Sequence, residues 1–367
     1  MFWILGLVGV LVLAVFLFVT LSPQFGASPS KAQLASYAKS AQFKNGKFHN
    51  IGGVESNIAF GDVFKVVKGY FVPQPHTVPD ENISVEKIDS IRIADYVGDT
   101  RMFWFGHSTF LLQTQGKNIL IDPMFGEVPA PNPMLGTPRF SKNLPIDIDE
   151  LPKIDAVIFS HDHYDHLDYG SVKRIKDKVD AFYTPLGLGA HLSSWGVPKE
   201  NITEMDWWDE SDFLGMKLIC APAQHFSGRG FGDKGSTLWS SWIFKTGTEA
   251  IFFSGDSGYG PHFKEIGEKH GPFDFAMMEC GQYNELWKEI HMMPEETAQA
   301  GLDVKAERIM PIHWGAFKLA MHPWTEPIER VSKKAQELGL PLVTPRIGEP
   351  IDIHEKNSGS KNWWTNY

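Results

Sequence analysis

The sequence predicts a mixed α/β protein in which helices are layered on buried sheets. Three observations predict it. Short apolar runs follow one another across tight turns near residue 100, the pattern of hairpins. Later apolar runs alternate with helix-like segments, the pattern of strands covered by helices. The densest groups of histidine and aspartate fall where such runs end, and α/β sheets carry their chemistry at strand ends. At 367 residues, with 43% apolar and 21% charged side chains, the chain can bury a large core.

The first element is the opening segment, "MFWILGLVGVLVLAVFLFVTLS". It holds no charged side chain, and Lys31 is the first in the chain. As a helix rising about 1.5 Å per residue, some 21 apolar residues span roughly 30 Å, enough to cross a bilayer. Residues 1–22 are therefore read as a single-pass membrane anchor or uncleaved signal. A cleaved signal peptide and a buried helix are the rival readings; the first usually has a basic start and a shorter apolar core. Lys31, Lys39, Lys44 and Lys47 follow with no acid before Val54. The positive-inside tendency places that flank, and the domain behind it, on the cytoplasmic side. Residues 23–95 read as a Ser/Ala/Lys linker and an arm punctuated by "FVPQPHTVP", laid on the main domain.

The main domain is expected over 96–355. "RMFWFG" and "TFLLQT" are strands separated by the turn-like "GHS", and "KNILIDP" follows after a Gly-Lys turn. "PKIDAVIFS" is a further buried strand, and "YGSVKRIKDKV" is an amphipathic helix. "DAFYTP" and "GMKLICAPA" are strands, while "LWSSWIFKT" and "EAIFFSGDSG" form a pair across a Gly turn. "PEETAQAGLDV" carries acids in its first turn, as helices do, and leads into the strand "AERIMPIHW". Residues 356–367 are left as a C-terminal tail.

Composition removes several function classes. A net charge of −10 argues against nucleic-acid binding, which calls for a basic stripe. Cys220 and Cys280, the two cysteines, cannot make a disulfide scaffold. The chain contains no internal repeat and no phosphate-binding P-loop signature.

The chemistry concentrates at four strand exits. In "VIFSHDHYDHLD", His161, His163, Asp165 and His166 follow a buried run; His225 follows "KLICAPAQ", Asp256 follows "AIFFSG" and His313 follows "RIMPI". An isolated H-x-H is more often a surface pair than a metal site. The longer H-x-H-x-D-H after a buried strand, joined by three more such ends, reverses that preference. Residues two apart in extended chain project to one side, so His161 and His163 can grip one ion. Asp165 and His166 lie past the turn, where they can face a second, and Asp256 can bridge the two. Imidazole and carboxylate donors suit Zn²⁺, with Fe or Mn as substitutes, and the lack of cysteine points to a catalytic rather than a structural site.

"SHDHYDHLD" resembles the H-x-H-x-D-H signature of the metallo-β-lactamase fold, and His225, Asp256 and His313 follow in that family's order. "FWFGHSTFLL", "ILIDPMF", "LWSSWIF", "FFSGDSGYG", "MPEE" preceded by His291, and "MPIHWGAF" resemble, within that fold, the N-acylphosphatidylethanolamine-hydrolysing phospholipase D family. These motifs cover roughly residues 95 to 330. The resemblance implies a four-layer αβ/βα sandwich, here behind an N-terminal hydrophobic helix, with two zinc ions at one edge of the sheets. It implies His161, His163 and His225 on one ion, Asp165, His166 and His313 on the other, and Asp256 between them. It also implies a catalytic part for His291, at the phosphate or the leaving group, and for Asp165, in orienting a hydroxide. Asp122, ending "ILID", would orient a ligand histidine, its other reading being a strand-end turn residue; His107 in "GHST" would line the site or shape a turn.

The activity implied is hydrolysis of phospholipid phosphodiesters at a membrane. Two rival readings remain: a lactonase or other small-molecule hydrolase on the same fold, and, outside the enzymes, an anchored metal-binding sensor. Redox di-iron proteins of this fold carry a Glu in the histidine motif where this chain has Asp162 or Tyr164.

Overall fold

Asn45 and Gly46, at φ of 54° and 80°, turn the chain within the hairpin of β1 (Phe43–Lys44) and β2 (Lys47–Phe48). Two-residue turns of this kind match the twist of the paired strands. The hairpin belongs to the N-terminal arm in a computed structural model that describes residues 2–54, 72, 74–213, 215–355 and 362–367.

The first large sheet comprises β3 (Arg101–Trp104), β4 (Phe110–Thr114), β5 (Lys117–Ile121), β6 (Ile154–Ile158), β7 (Val179–Pro185) and β8 (Ile202–Met205). The second comprises β9 (Glu210–Phe213), β10 (Met216–Ala221), β11 (Ser241–Lys245), β12 (Ala250–Phe253), β13 (Phe275–Glu279) and β14 (Ile309–Ile312). A last strand, β15 (Pro350–Asp352), closes the first sheet, whose order is β15-β3-β4-β5-β6-β7-β8; the second runs β14-β13-β12-β11-β10-β9. Each sheet is antiparallel on one side and parallel on the other, the change coming at β5 in one and at β12 in the other.

Period-two alternation separates the faces of the first sheet. Trp104, Phe110, Leu112, Ile119, Ile121 and Ile158 join the core between the sheets. Phe103, Leu111, Leu120 and Val157 lie on the other face, under the helices Tyr169–Ile175 and Gly189–Ser194 through Val172, Ile175, Leu188 and Leu192. The helices His262–Lys269, Pro294–Asp303 and Glu326–Leu338 cover the second sheet with Phe263, Ile266, Ala298, Ile328 and Val331. Helix, sheet, sheet, helix is the layer order. The strand expected in "PKIDAVIFS" ends at Ile158, which leaves Phe159 and Ser160 to carry the chain off the sheet.

The membrane-crossing reading of residues 1–22 is corrected. Phe2–Leu21 is helical and apolar on all sides, but no helix among the described residues is long and apolar enough to cross a membrane.

The described part of the arm lies on the sheets. Trp195 Nε1 donates to Pro23 O at 2.7 Å, Ala27 N to His191 Nδ1 at 3.0 Å, and Phe48 N to Gly235 O at 2.8 Å. The proline-punctuated stretch falls partly outside the described residues. The chain end is not loose: Trp363 and Trp364 are buried, and Trp363 stacks on Trp314 at 5.5 Å.

Candidate metal centre

The parallel strands deliver their C-terminal ends to one edge, and there the ionisable residues meet. The loop after β6 supplies His161, His163, Asp165 and His166; β12 leads to Asp256, β14 to His313, and the extension of β10 to His225.

His161, His163 and His225 form one group. His161 Nε2 lies 2.9 Å from His163 Nδ1, which lies 3.1 Å from His225 Nε2. Tetrahedral Zn–N bonds of about 2.0–2.1 Å set their nitrogens about 3.3 Å apart, so this spacing is close to that of a ligand set. The outer nitrogens are engaged: Ser160 Oγ is 2.9 Å from His161 Nδ1, and His225 Nδ1 donates to Ile290 O at 3.0 Å.

Asp165, His166 and His313 form the second group, with His107 beside them. His166 Nδ1 donates to Asp122 Oδ2 at 2.7 Å, and His313 Nδ1 to Gly281 O at 3.3 Å. Their Nε2 atoms therefore face carboxylate oxygens. His313 Nε2 is 3.1 Å from both Asp165 Oδ2 and Asp256 Oδ2, and His166 Nε2 is 3.2 Å from Asp256 Oδ2. Nitrogen and carboxylate at that distance share a cation, a ring proton in the metal-free protein or a metal ion in its place. Asp256 Oδ2 also lies 3.8 Å from Nε2 of both His161 and His225, so one carboxylate oxygen touches both groups.

The fit to divalent ions rests on orphaned atoms. Asp256 Oδ1 and His166 Nε2 are buried without a hydrogen-bond partner, whereas buried polar atoms are nearly always paired. Five imidazoles and two carboxylates within reach of one another are the donor set of a borderline first-row cation.

The electrostatics divide the two groups. Burial holds the His161 and His225 imidazoles well below the ordinary histidine range, and neighbouring rings add to it; burial also lowers His163. Burial opposes charge on His166 and His313 too, but Asp256 and Asp165 hold both well above that range. The same contacts outweigh the burial of Asp165 and Asp256 and keep both carboxyls well below theirs.

The remaining expected residues take positions around these groups. Asp122 accepts from Ser160 N and Ser160 Oγ as well as from His166, and so aims that ring. His107, at a φ of 55°, places Nε2 2.8 Å from Asp165 Oδ2; burial and His313 push it down to about 3, so the ring is a neutral donor. His291 donates from Nδ1 to Glu279 Oε1 at 3.0 Å and stacks on His313, ring centres 5.2 Å apart.

Two buried acids were not anticipated. Glu279, the last residue of β13, accepts from His291 and from Met292 N; a carboxylate ending the apolar run "FAMME" is the signal that marks it. Asp162 accepts from Gly228 N and Thr237 Oγ1 at 2.8 Å each and lies 3.4 Å from His191 Nε2, so it braces the motif loop. His191 thereby links the arm to that loop.

The strand-exit donors can be compared with known proteins. Residues 117–314 match the family described as "Beta-lactamase superfamily domain". The chain belongs to the metallo-β-lactamase superfamily. Within this superfamily it is 32% identical, over 76% of its length and 81% of the relative's, to N-acyl-phosphatidylethanolamine-hydrolyzing phospholipase D 1 of Caenorhabditis elegans. It is 39% identical to an uncharacterised protein of Mycobacterium tuberculosis, over 79% of this chain and 77% of that one. Among solved structures, an isothiocyanate hydrolase from Delia radicum gut bacteria shares the fold, with a TM-score of 0.55 at 23% identity over 68% of this chain and 98% of that chain. A metal-dependent hydrolase is the activity class that superfamily membership supports.

Proposed function

We propose that the protein is a two-metal phosphodiesterase that cleaves phospholipids at a membrane surface, releasing phosphatidic acid and the head-group alcohol. The observation that carries this is the pair of ligand groups joined through Asp256 Oδ2, with a ring nitrogen of His291 within 4.8 Å of the Asp256 and His225 donors.

In this reading His161, His163 and His225 hold one ion, Asp165, His166 and His313 the other, and Asp256 both. Zinc fits the donors, and iron or manganese would fit them too. Bound divalent ions would supply a hydroxide near neutral pH and offset charge on the phosphoryl oxygens. The protein's own residues do the rest. Asp165, oriented by the His107 N–H, accepts the proton of the attacking water and keeps its oxygen in line. His291, its Nδ1–H committed to Glu279, receives that proton at its free Nε2 and passes it to the departing alkoxide. Water thus adds to phosphorus, the P–O bond to the head group breaks, and the alcohol leaves protonated.

Two features support a lipid substrate. The worm relative is named for N-acyl-phosphatidylethanolamine. The helix Phe2–Leu21 exposes Leu5, Leu7, Leu11 and Phe16, and its C-terminal end borders an apolar recess of about 580 Å³ with Phe25, Met134, Leu135 and Phe231. Apolar surface of this kind is stable when covered by lipid.

The test is an assay of metal-analysed protein on vesicles of N-acylated and plain phosphatidylethanolamine, following phosphatidic acid and the released amide. Turnover with both products supports the reading. Turnover only on lactones or soluble diesters would replace it with that of a small-molecule hydrolase.

A further inference from the structure

His225 stands four residues beyond the end of β10, whereas His313 directly follows β14. No sheet ladder reaches it. Its main-chain N–H and C=O both bond to one side chain, that of Asn50, which belongs to the N-terminal arm and lies outside the stretch matching the superfamily domain. His225 N donates to Asn50 Oδ1 at 3.0 Å, and Asn50 Nδ2 donates to His225 O at 2.8 Å. The amide thus imitates one rung of a β-ladder.

The other half of the amide is also engaged. Asn50 Nδ2 donates its second hydrogen to Val54 O at 3.0 Å, and Oδ1 accepts from Trp239 Nε1 at 2.9 Å. Two donors and two acceptor sites are all used, and the residue is 8% exposed. No other side chain of this size offers a donor pair and an acceptor in that geometry. Aspartate would set an oxygen against the carbonyls of His225 and Val54.

We propose that Asn50 is a positioning residue for the metal centre: the arm, through this one amide, fixes where His225 presents Nε2 to His161 and His163. The inference rests on reading that group as a metal site. Residues that orient ligands from behind typically change metal affinity about 10–100-fold when removed, and the same loss is expected here for one of the two ions. The other, held by Asp165, His166 and His313, loses little.

The experiment uses the full-length protein and the variants Asn50→Asp and Asn50→Ala. Zinc stoichiometry and affinity are measured by elemental analysis and chelator competition. The visible spectrum of the cobalt(II)-loaded protein reports ligand geometry, and melting of the chelator-treated protein reports stability. The proposal expects a tenfold or larger loss of affinity for one ion and an altered cobalt spectrum in both variants, Asp more than Ala. Variants that melt earlier without metal, yet bind zinc as tightly as the parent and give its cobalt spectrum, overturn it and leave Asn50 a structural residue. Parent protein that takes up no zinc or cobalt overturns instead the reading of the site as a metal centre.

Discussion

Replacing Asp122 by Asn tests how the second ligand group is oriented. The carboxylate accepts three hydrogen bonds, from Ser160 N, Ser160 Oγ and His166 Nδ1. Asparagine has nearly the same shape and keeps an oxygen for Ser160. Its NH₂ group, however, would face the Nδ1–H of His166, donor against donor. The ring can relieve this only by moving its proton to Nε2, the atom that looks at Asp256 Oδ2 from 3.2 Å. That nitrogen would then carry hydrogen where a metal lone pair is needed. One charge-assisted hydrogen bond is lost, worth about 1.5–3 kcal/mol to the folded state. The ion held by His166 should bind about 10–100-fold more weakly, or about 1.4–2.8 kcal/mol. Competition with a chromogenic chelator, read beside hydrolysis of a phosphodiester, measures both consequences. An Asp122→Asn protein that holds two ions with parental affinity would refute this account of His166.

The same geometry sets further outcomes. Asp256→Asn removes the oxygen shared by both groups, so elemental analysis should show loss of both ions and hydrolysis should vanish; full activity would sink the two-ion scheme. His166 and His313 are held well above the ordinary histidine value, so their protons are present below that raised range and must leave as metal binds. Zinc affinity should therefore rise from about pH 6 towards about pH 8, with proton release visible by calorimetry in buffers of different ionisation enthalpy; a flat profile contradicts the assignment. Deleting residues up to Leu21, while keeping Pro23 and Ala27 with their contacts to Trp195 and His191, should abolish flotation with phospholipid vesicles and spare hydrolysis of a short-chain soluble diester. Unchanged flotation would show that the apolar helix does not hold the protein to lipid.

Much of the site could be read before folding because its donors follow apolar runs. A strand that must be buried has a fixed address, so His161, Asp256 and His313 inherit their positions from β6, β12 and β14. The layer order comes from the same runs, since Phe103 and Trp104 must face opposite sides of one sheet. The residues that escaped are set by contacts between distant segments. Asn50 and His191 are polar residues in unremarkable surroundings, and only docking of the arm gives them work. The strands β8 and β9 escaped for another reason: "ITEM" and "ESDF" lie at or near sheet edges with polar side chains outward, which weakens any apolar signal. The helix read from the apolar run of residues 1–22 is present over Phe2–Leu21, while no helix among the described residues is long and apolar enough to cross a membrane.

Arg229 ties the arm to the loop of histidines, and the tie has a consequence in time. Its buried guanidinium donates to Gln24 O on one side and to Asp162 O and Leu167 O on the other. The first of these contacts joins residues 205 positions apart. At about 5–20 residues made per second, the segment around Gln24 leaves the ribosome roughly 10–40 s before its partner exists. During that interval the oily start of the chain has no folded body to restrain it and is free to meet a lipid or a chaperone. The histidine loop, made in between, must likewise wait for Arg229 before its backbone is braced. The contacts of Arg229 thus impose an order: the arm around Gln24 and the loop of Asp162 and Leu167 are joined only once residue 229 has been made.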